Sequence, residues 1–182
     1  MKKIKVMLHT LVLSFVFGFP FTPVTAQQLD VEIDPIAYAL EGFSVHTAYG
    51  VNGWRFDLGV YGLTLPEAVH GNEGLTARFV GAGWKMDRFI KGGSDGAFLG
   101  IDGGVSRKVI EDNDTPDTIQ RLEYSMGGRI GYRWMTGLGN LYVTPWVGLG
   151  YVFNAKDMEI NDKVFENSAI QPFPTVHVGW RF

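Results

Sequence analysis

The chain has 182 residues, with 16 basic against 19 acidic side chains and no cysteine, which excludes a disulfide scaffold, a thiolate metal site and a cysteine nucleophile. Lys2, Lys3 and Lys5 all lie in the first 26 residues, so residues 27–182 hold 13 basic and 19 acidic side chains, a net charge of −6. A mildly acidic domain is a poor nucleic-acid binder, and no nucleic-acid partner is expected.

Those three lysines precede an apolar stretch, Leu11–Phe19, and small residues follow at Val24-Thr25-Ala26. This order predicts a secretory signal peptide over 1–26, cleaved before Gln27, and a single domain over 27–182. Pro20 and Pro23 interrupt the apolar stretch, which argues against a retained anchor.

From there the dominant signal is period two. In Arg121–Trp134 one parity holds Leu122, Tyr124, Met126, Gly128, Ile130, Tyr132 and Trp134. The other holds Arg121, Glu123, Ser125, Gly127, Arg129, Gly131 and Arg133. Successive strand side chains point to opposite faces, so one face is apolar and the other polar, charged or glycine. Residues 54–62 and 97–106 split the same way. Unbroken runs of this length exceed the five or six residues common in soluble sheets and suit the ~9–11 that cross a bilayer at a tilt.

Breaks at turn-rich clusters give eight strands: Leu29–Leu40, Phe43–Gly50, Trp54–Leu63, Leu75–Phe89, Ala97–Val109, Thr118–Trp134, Leu141–Phe153 and Val164–Phe182. The fold expected is all-β, an eight-stranded antiparallel up-and-down transmembrane β-barrel. Short connections at 51–53, 90–96 and 135–140 become periplasmic turns. Longer, more acidic ones at 64–74, 110–117 and 154–163 become extracellular loops. Glu41-Gly42 is either a tight turn or a bulge that would merge the first two strands, and the even-number rule favours the turn. Pro35 removes a ladder donor from the first strand.

Aromatic residues fall at proposed strand ends on the outward parity: Trp54, Trp134, Trp180 and Phe182 at the periplasmic side, Tyr151 and Phe153 at the other. Girdles of this kind mark the membrane interfaces of barrels. The inward parity collects Asp30, Glu32, Asp34, Asp57, Asp102 and Glu123 against Arg55, Arg121, Arg129, Arg133 and Arg181, with His46 and His177; Lys85 and Asp87 join together if the fourth strand has that register. Near balance predicts an ion-paired, mostly closed lumen rather than a selective pore.

The chain resembles the small outer-membrane β-barrels of Gram-negative bacteria, the OmpA transmembrane domain and OmpX-like group. The resemblance rests on the alternation and on the ending, with Val176, Val178, Trp180 and Phe182 on one face. It implies residence in the outer membrane among lipid and lipopolysaccharide; the sequence does not fix the oligomeric state, and a monomer is the expectation. It also implies recognition of the last strand, ending in Phe182, by the barrel-assembly machinery. The function expected is structural or interactive, with no cofactor.

Two alternatives stand beside it: a narrow small-solute channel, and a lipid-A-modifying enzyme of acyltransferase or deacylase type. Ser44 and His46 share a face, but an i, i+2 pair lies ~7 Å apart along a strand, beyond hydrogen-bond reach. His70, beside Glu67 and Glu73 in a loop, is the one weak catalytic candidate. Asp112, Asp114 and Asp117 lack the glycine turn and final glutamate of a calcium loop, so no metal site is expected and a solvated loop is.

Overall fold

The computed structural model describes residues 27–182. The signal peptide expected over residues 1–26 lies outside the described residues. The strands are β1 (Gln28–Ile33), β2 (Phe43–Val51), β3 (Trp54–Leu65), β4 (Leu75–Phe89), β5 (Gly96–Asp112), β6 (Thr118–Met135), β7 (Leu141–Val152), β8 (Met158–Ile160), β9 (Lys163–Phe165) and β10 (Ile170–Arg181). Eight of them close a ring in the order β1-β10-β7-β6-β5-β4-β3-β2, each pair antiparallel, while β8 and β9 form a separate hairpin. The fold is an eight-stranded antiparallel up-and-down barrel.

Alternation decides which residues go where. On β4, for instance, Leu75, Ala77, Lys85, Asp87 and Phe89 are buried, while Arg78, Val80, Ala82, Trp84 and Arg88 are exposed. Three connections are short and close one end, here the turn end. At Asn52-Gly53 both residues have positive φ (50° and 75°), the geometry of a type I′ hairpin turn. The opposite, loop end carries the β3–β4, β5–β6 and β7–β10 connections.

Partners can be followed round the wall from Pro174 through Val147, Ile130, Leu99, Arg88 and Trp54 to Val51. Carried through the β1–β2 and β1–β10 registers, that path returns to β10 ten residues beyond Pro174. Ten residues at ~3.3 Å set against eight strands at ~4.8 Å tilt the strands by about 40°. One residue along a strand then changes the height by ~2.5 Å, and one strand sideways by ~3 Å.

The first strand is shorter than expected. Rather than running to Leu40, β1 stops at Ile33, and helix α1 (Pro35–Ala39) follows. Asp34 caps it by accepting from the Ile36 N–H (2.8 Å), and Pro35 occupies the first turn, where its missing N–H costs nothing. Glu41 then takes a left-handed conformation (φ 54°), and Gly42 passes so close to β3 that a Cβ there would lie 2.0 Å from the Gly62 carbonyl. The connection between the first two strands is therefore the whole of Asp34–Gly42, not a two-residue turn. The expected last strand divides as well: β9 and β10 are separated by residues 166–169.

Candidate functional site: the barrel lumen

The lumen has three storeys. Lowest, toward the turn end, is a dense ionic floor. Arg55 reaches Glu32 (2.7 Å), Asp57 (2.8 Å) and Asp87 (3.3 Å). Arg133, on β6, crosses to β1 and bonds Asp30 (2.8 Å) and Glu32 (3.0 Å). Arg181 holds the second oxygen of Asp30 (3.3 Å), and Arg129 sits 3.2 Å from Asp87. Lys85 donates to Asp57 (3.0 Å) and to His46 Nδ1 (2.8 Å), and His177 Nδ1 lies 2.9 Å from Glu32.

Aromatic faces finish the packing. Arg133 lies 4.2 Å over the Tyr142 ring and Arg129 4.1 Å over Trp146, so the guanidiniums are sandwiched as well as paired. Inward glycines supply the room. A Cβ at Gly59 would fall 1.9 Å from the His46 ring, and one at Gly179 would fall 2.3 Å from Tyr142.

Above the floor the inward face changes character. Tyr61, Gly83, Asp102, Gly104, Ser106, Ser125, Gly127 and Gly150 all point inward yet are only partly buried, and Phe173 is 42% exposed. Small side chains leave a chamber here. Asp102 stands at its base and makes no ion pair or hydrogen bond among the described residues.

The top storey is apolar. Leu75, Ala77 and Ile110, from the upper ends of β4 and β5, pack with Met158, Ile160 and Phe165 of the β8–β9 hairpin, which folds back over the loop end as a lid. Polar ties secure its rim. Lys108 pairs with Glu123 (2.9 Å) and donates to Asn167 (2.6 Å). The Glu166 N–H donates to Asn72 (2.8 Å), and Lys163 binds Asp112 and Asp114 (2.6 Å each). The Lys163 ammonium, the Asp114 N–H and the Asn161 amide hold the Asp112 carboxyl well below the usual carboxylate range. The two carboxylates raise Lys163 in turn.

The sequence-derived site residues therefore separate. Asp30, Glu32, Arg55, Asp57, Arg129, Arg133, Arg181, His46 and His177 meet in the floor, together with Lys85 and Asp87. Asp34 instead caps α1 and accepts from the Thr175 hydroxyl (2.6 Å). Asp102 is alone. Arg121, expected in the ionic network, belongs at the upper rim, where it donates to the carbonyls of Lys156 and Asp157. It lies too near the loop end to reach the floor. Glu123 is also high, paired with Lys108, which shares the Asp102 parity on β5 and was legible there.

His70 makes no hydrogen bond or ion pair with Glu67 or Glu73 among the described residues. Its Nδ1 accepts from the Asn72 N–H (3.1 Å), and its ring packs against Phe165 (5.1 Å), where burial lowers its pKa. Segment 154–163, expected as a longer, acidic extracellular loop, supplies the lid; its buried Met158 and Ile160 alternate with exposed Glu159. Among the described residues no group of side chains has the arrangement of a metal site.

The outer surface has sharp limits. On β4 the outward residues between Arg78 and Arg88 are Val80, Ala82, Trp84 and Met86. Ten residue steps at ~3.3 Å and a tilt of about 40° make that apolar interval about 25 Å tall. By the same steps the exposed rings of Trp54, Trp134 and Trp180 fall within about 1 Å of a common plane, ~3 Å below Arg88. Tyr151 and Phe153 fall near the height of Arg78, packed edge to face at 5.6 Å. Phe182 is 69% exposed below the Trp plane, and its N–H donates to Leu29 across the seam (2.8 Å).

No family model and no curated protein matches the chain. Solved structures do. The N-terminal β-barrel domain of Pseudomonas aeruginosa OprF is similar over 86% of this chain and 96% of its own, at 9% identity and a TM-score of 0.46. A major outer membrane protein from Thermus thermophilus is similar over 86% and 100%, at 13% identity and a TM-score of 0.48. Neisserial surface protein A is similar over 85% and 94%, at 13% identity and a TM-score of 0.43.

Proposed function

We propose that the protein is an outer-membrane barrel of structural or interaction type, its lumen closed to bulk solutes and its loop end facing outward. One observation carries the reading: the belt about 25 Å tall, apolar on the outside and ended by charges and aromatic girdles, is the height and composition a bilayer requires of a barrel. A soluble protein would expose no such continuous surface, because contiguous apolar patches beyond a few hundred Å² drive association. A closed ring also leaves few backbone groups to face lipid unpaired.

The lumen supports a structural role over a conducting one. Its floor pairs carboxylates with guanidiniums at contact distance, where a selective pore carries an excess of one sign. Ser44 and His46 are not arranged as nucleophile and base, since no hydrogen bond joins them among the described residues and an i, i+2 pair lies ~7 Å apart along a strand. Loops and rim are the surfaces left for lipopolysaccharide, partner proteins or host surfaces. Refolding into vesicles tests the reading: the protein should float with lipid in a density gradient and migrate differently on gels before and after boiling. Recovery with the soluble fraction, or a single mobility, would overturn it.

A further inference from the structure

The wall of the barrel is incomplete at one place. β1 and β2 are the shortest strands of the ring, and β1 pairs with β10 only from Asp30–Ile33 to Val178–Arg181. Above that level, β10 has β7 on one side and, among the described residues, no strand on the other. The far side of the gap is the top of β3, whose Thr64 N–H donates to the Leu40 carbonyl (2.8 Å) because β2 begins only at Phe43. Between them stands α1, touching β10, β2 and β3.

The sequence of β10 is adapted to the gap. The Phe182 N–H donates to β1 and the Arg181 N–H to the β7 side, so even-numbered residues point toward the missing neighbour. Of the four above the seam, Pro172 and Pro174 have no N–H to leave unsatisfied and Ile170 donates to Ser168 Oγ (3.2 Å), which leaves the N–H of Val176. An edge with a single free donor position is a poor template for a strand from another protein, which disfavours that occupant.

The depth is equally specific. Pro174 is four strands sideways from Arg88, which puts it about 12 Å above it, and Ile170 about 22 Å above. The gap thus spans the middle and the loop-end half of the apolar belt. It faces the glycine-lined chamber, with Phe173 at its margin. Outside, a carbon-lined groove of about 800 Å³ runs from Ile36 of α1 past Pro174 and Val147 toward Leu99. On α1 itself Ile36 and Tyr38 are exposed and Ala37 is the one buried residue, so the helix presents an apolar face to the belt.

Resting on the membrane reading above, we propose that this gap is a lateral port. Through it the hydrocarbon tail of an outer-leaflet amphiphile passes beside α1 into the chamber, stopping above the unpaired carboxylate of Asp102. The occupant is a tail because groove, helix face and Phe173 offer carbon, and the wall there offers almost no hydrogen-bond donors.

All five tryptophans bear on the test. Trp146 faces the chamber floor, with Phe173 5.6 Å away, and Trp84 faces the belt. Two single-tryptophan variants, one keeping Trp146 and one keeping Trp84, are refolded into vesicles with bromines on the phospholipid tails. Quenching is expected at both, and Gly150→Leu should abolish it at Trp146 only, since a Cβ there meets nothing nearer than the Gln171 carbonyl at 3.7 Å and projects into the chamber. Quenching of Trp84 without Trp146 would sink the port and leave the membrane reading standing. Equal quenching of Trp146 with and without Gly150→Leu would sink it too, as leakage through the wall. No quenching at Trp84 would count against the membrane reading itself. If the tryptophan replacements prevent folding, a fatty acid with a photoreactive diazirine tail is used on the native chain. Adducts on Tyr61 or Phe173 support the port, and adducts on outward residues alone overturn it.

Discussion

Arg133→Met removes the cation that ties the weakest part of the wall to its opposite side. Arg133 is 2% exposed and spends its two terminal nitrogens on Asp30 and Glu32, both on the six-residue strand β1. The methionine keeps the packing against Phe89 and Tyr142 and deletes the charge. Asp30 retains Arg181 at 3.3 Å, and Glu32 retains Arg55 and His177. The loss therefore lies toward the lower part of the ~3–5 kcal/mol typical of breaking a buried pair. At ~3 kcal/mol the folding equilibrium falls by a factor of more than ~100. Urea unfolding of the refolded protein in detergent, followed by tryptophan fluorescence and by the heat-dependent gel shift, measures it. A single-variant loss below ~1 kcal/mol would refute the reasoning, because that is the worth of a solvent-screened pair and would mean that water fills the floor.

The other expectations concern the storeys separately. Gly179→Ala puts a methyl group into the Tyr142 ring and should destabilise the β1–β10 seam, read as a lower urea midpoint; no change would mean that Tyr142 is free to move. Lys163→Ala should release the lid, seen as faster hydrogen exchange over residues 156–167 with the barrel strands unaffected. In the parent, Asp112 is depressed and Lys163 raised. The carboxylate's contribution is present above its ordinary pKa and lost as pH falls through the folded value. The ammonium's is present below its ordinary pKa and lost as pH rises through the folded value. Lid protection should thus be constant from about pH 5 to about pH 9 and fail only in stronger acid or base; loss near pH ~6.5 would implicate histidine instead. Deleting residues 156–167 should leave a planar bilayer non-conducting because the ionic floor remains, whereas steady channels would show that the floor leaks.

Period-two alternation makes most of the wall legible in the sequence, because strand geometry sends neighbouring side chains to opposite faces wherever the strand lies. Arg55 and Asp57, or Arg129 and Arg133, go inward on parity alone. Helix α1 was also written locally, as Asp34 before Pro35, but the alternation on either side of it masked that cap. Parity is silent about height, so it could not separate Arg121 and Glu123 at the rim from Arg129 and Arg133 in the floor. Height depends on the ten-residue stagger, which is a property of the closed ring. The lid is a second such case: Met158, Ile160 and Phe165 are three apolar residues in a charged segment until the upper ends of β4 and β5 offer them a surface. What the chain specifies by itself is which residues face in and which face out. Only ring closure decides which inward charges meet, how high the chamber stands and where the wall is left to a helix, because each is a contact between residues far apart in sequence.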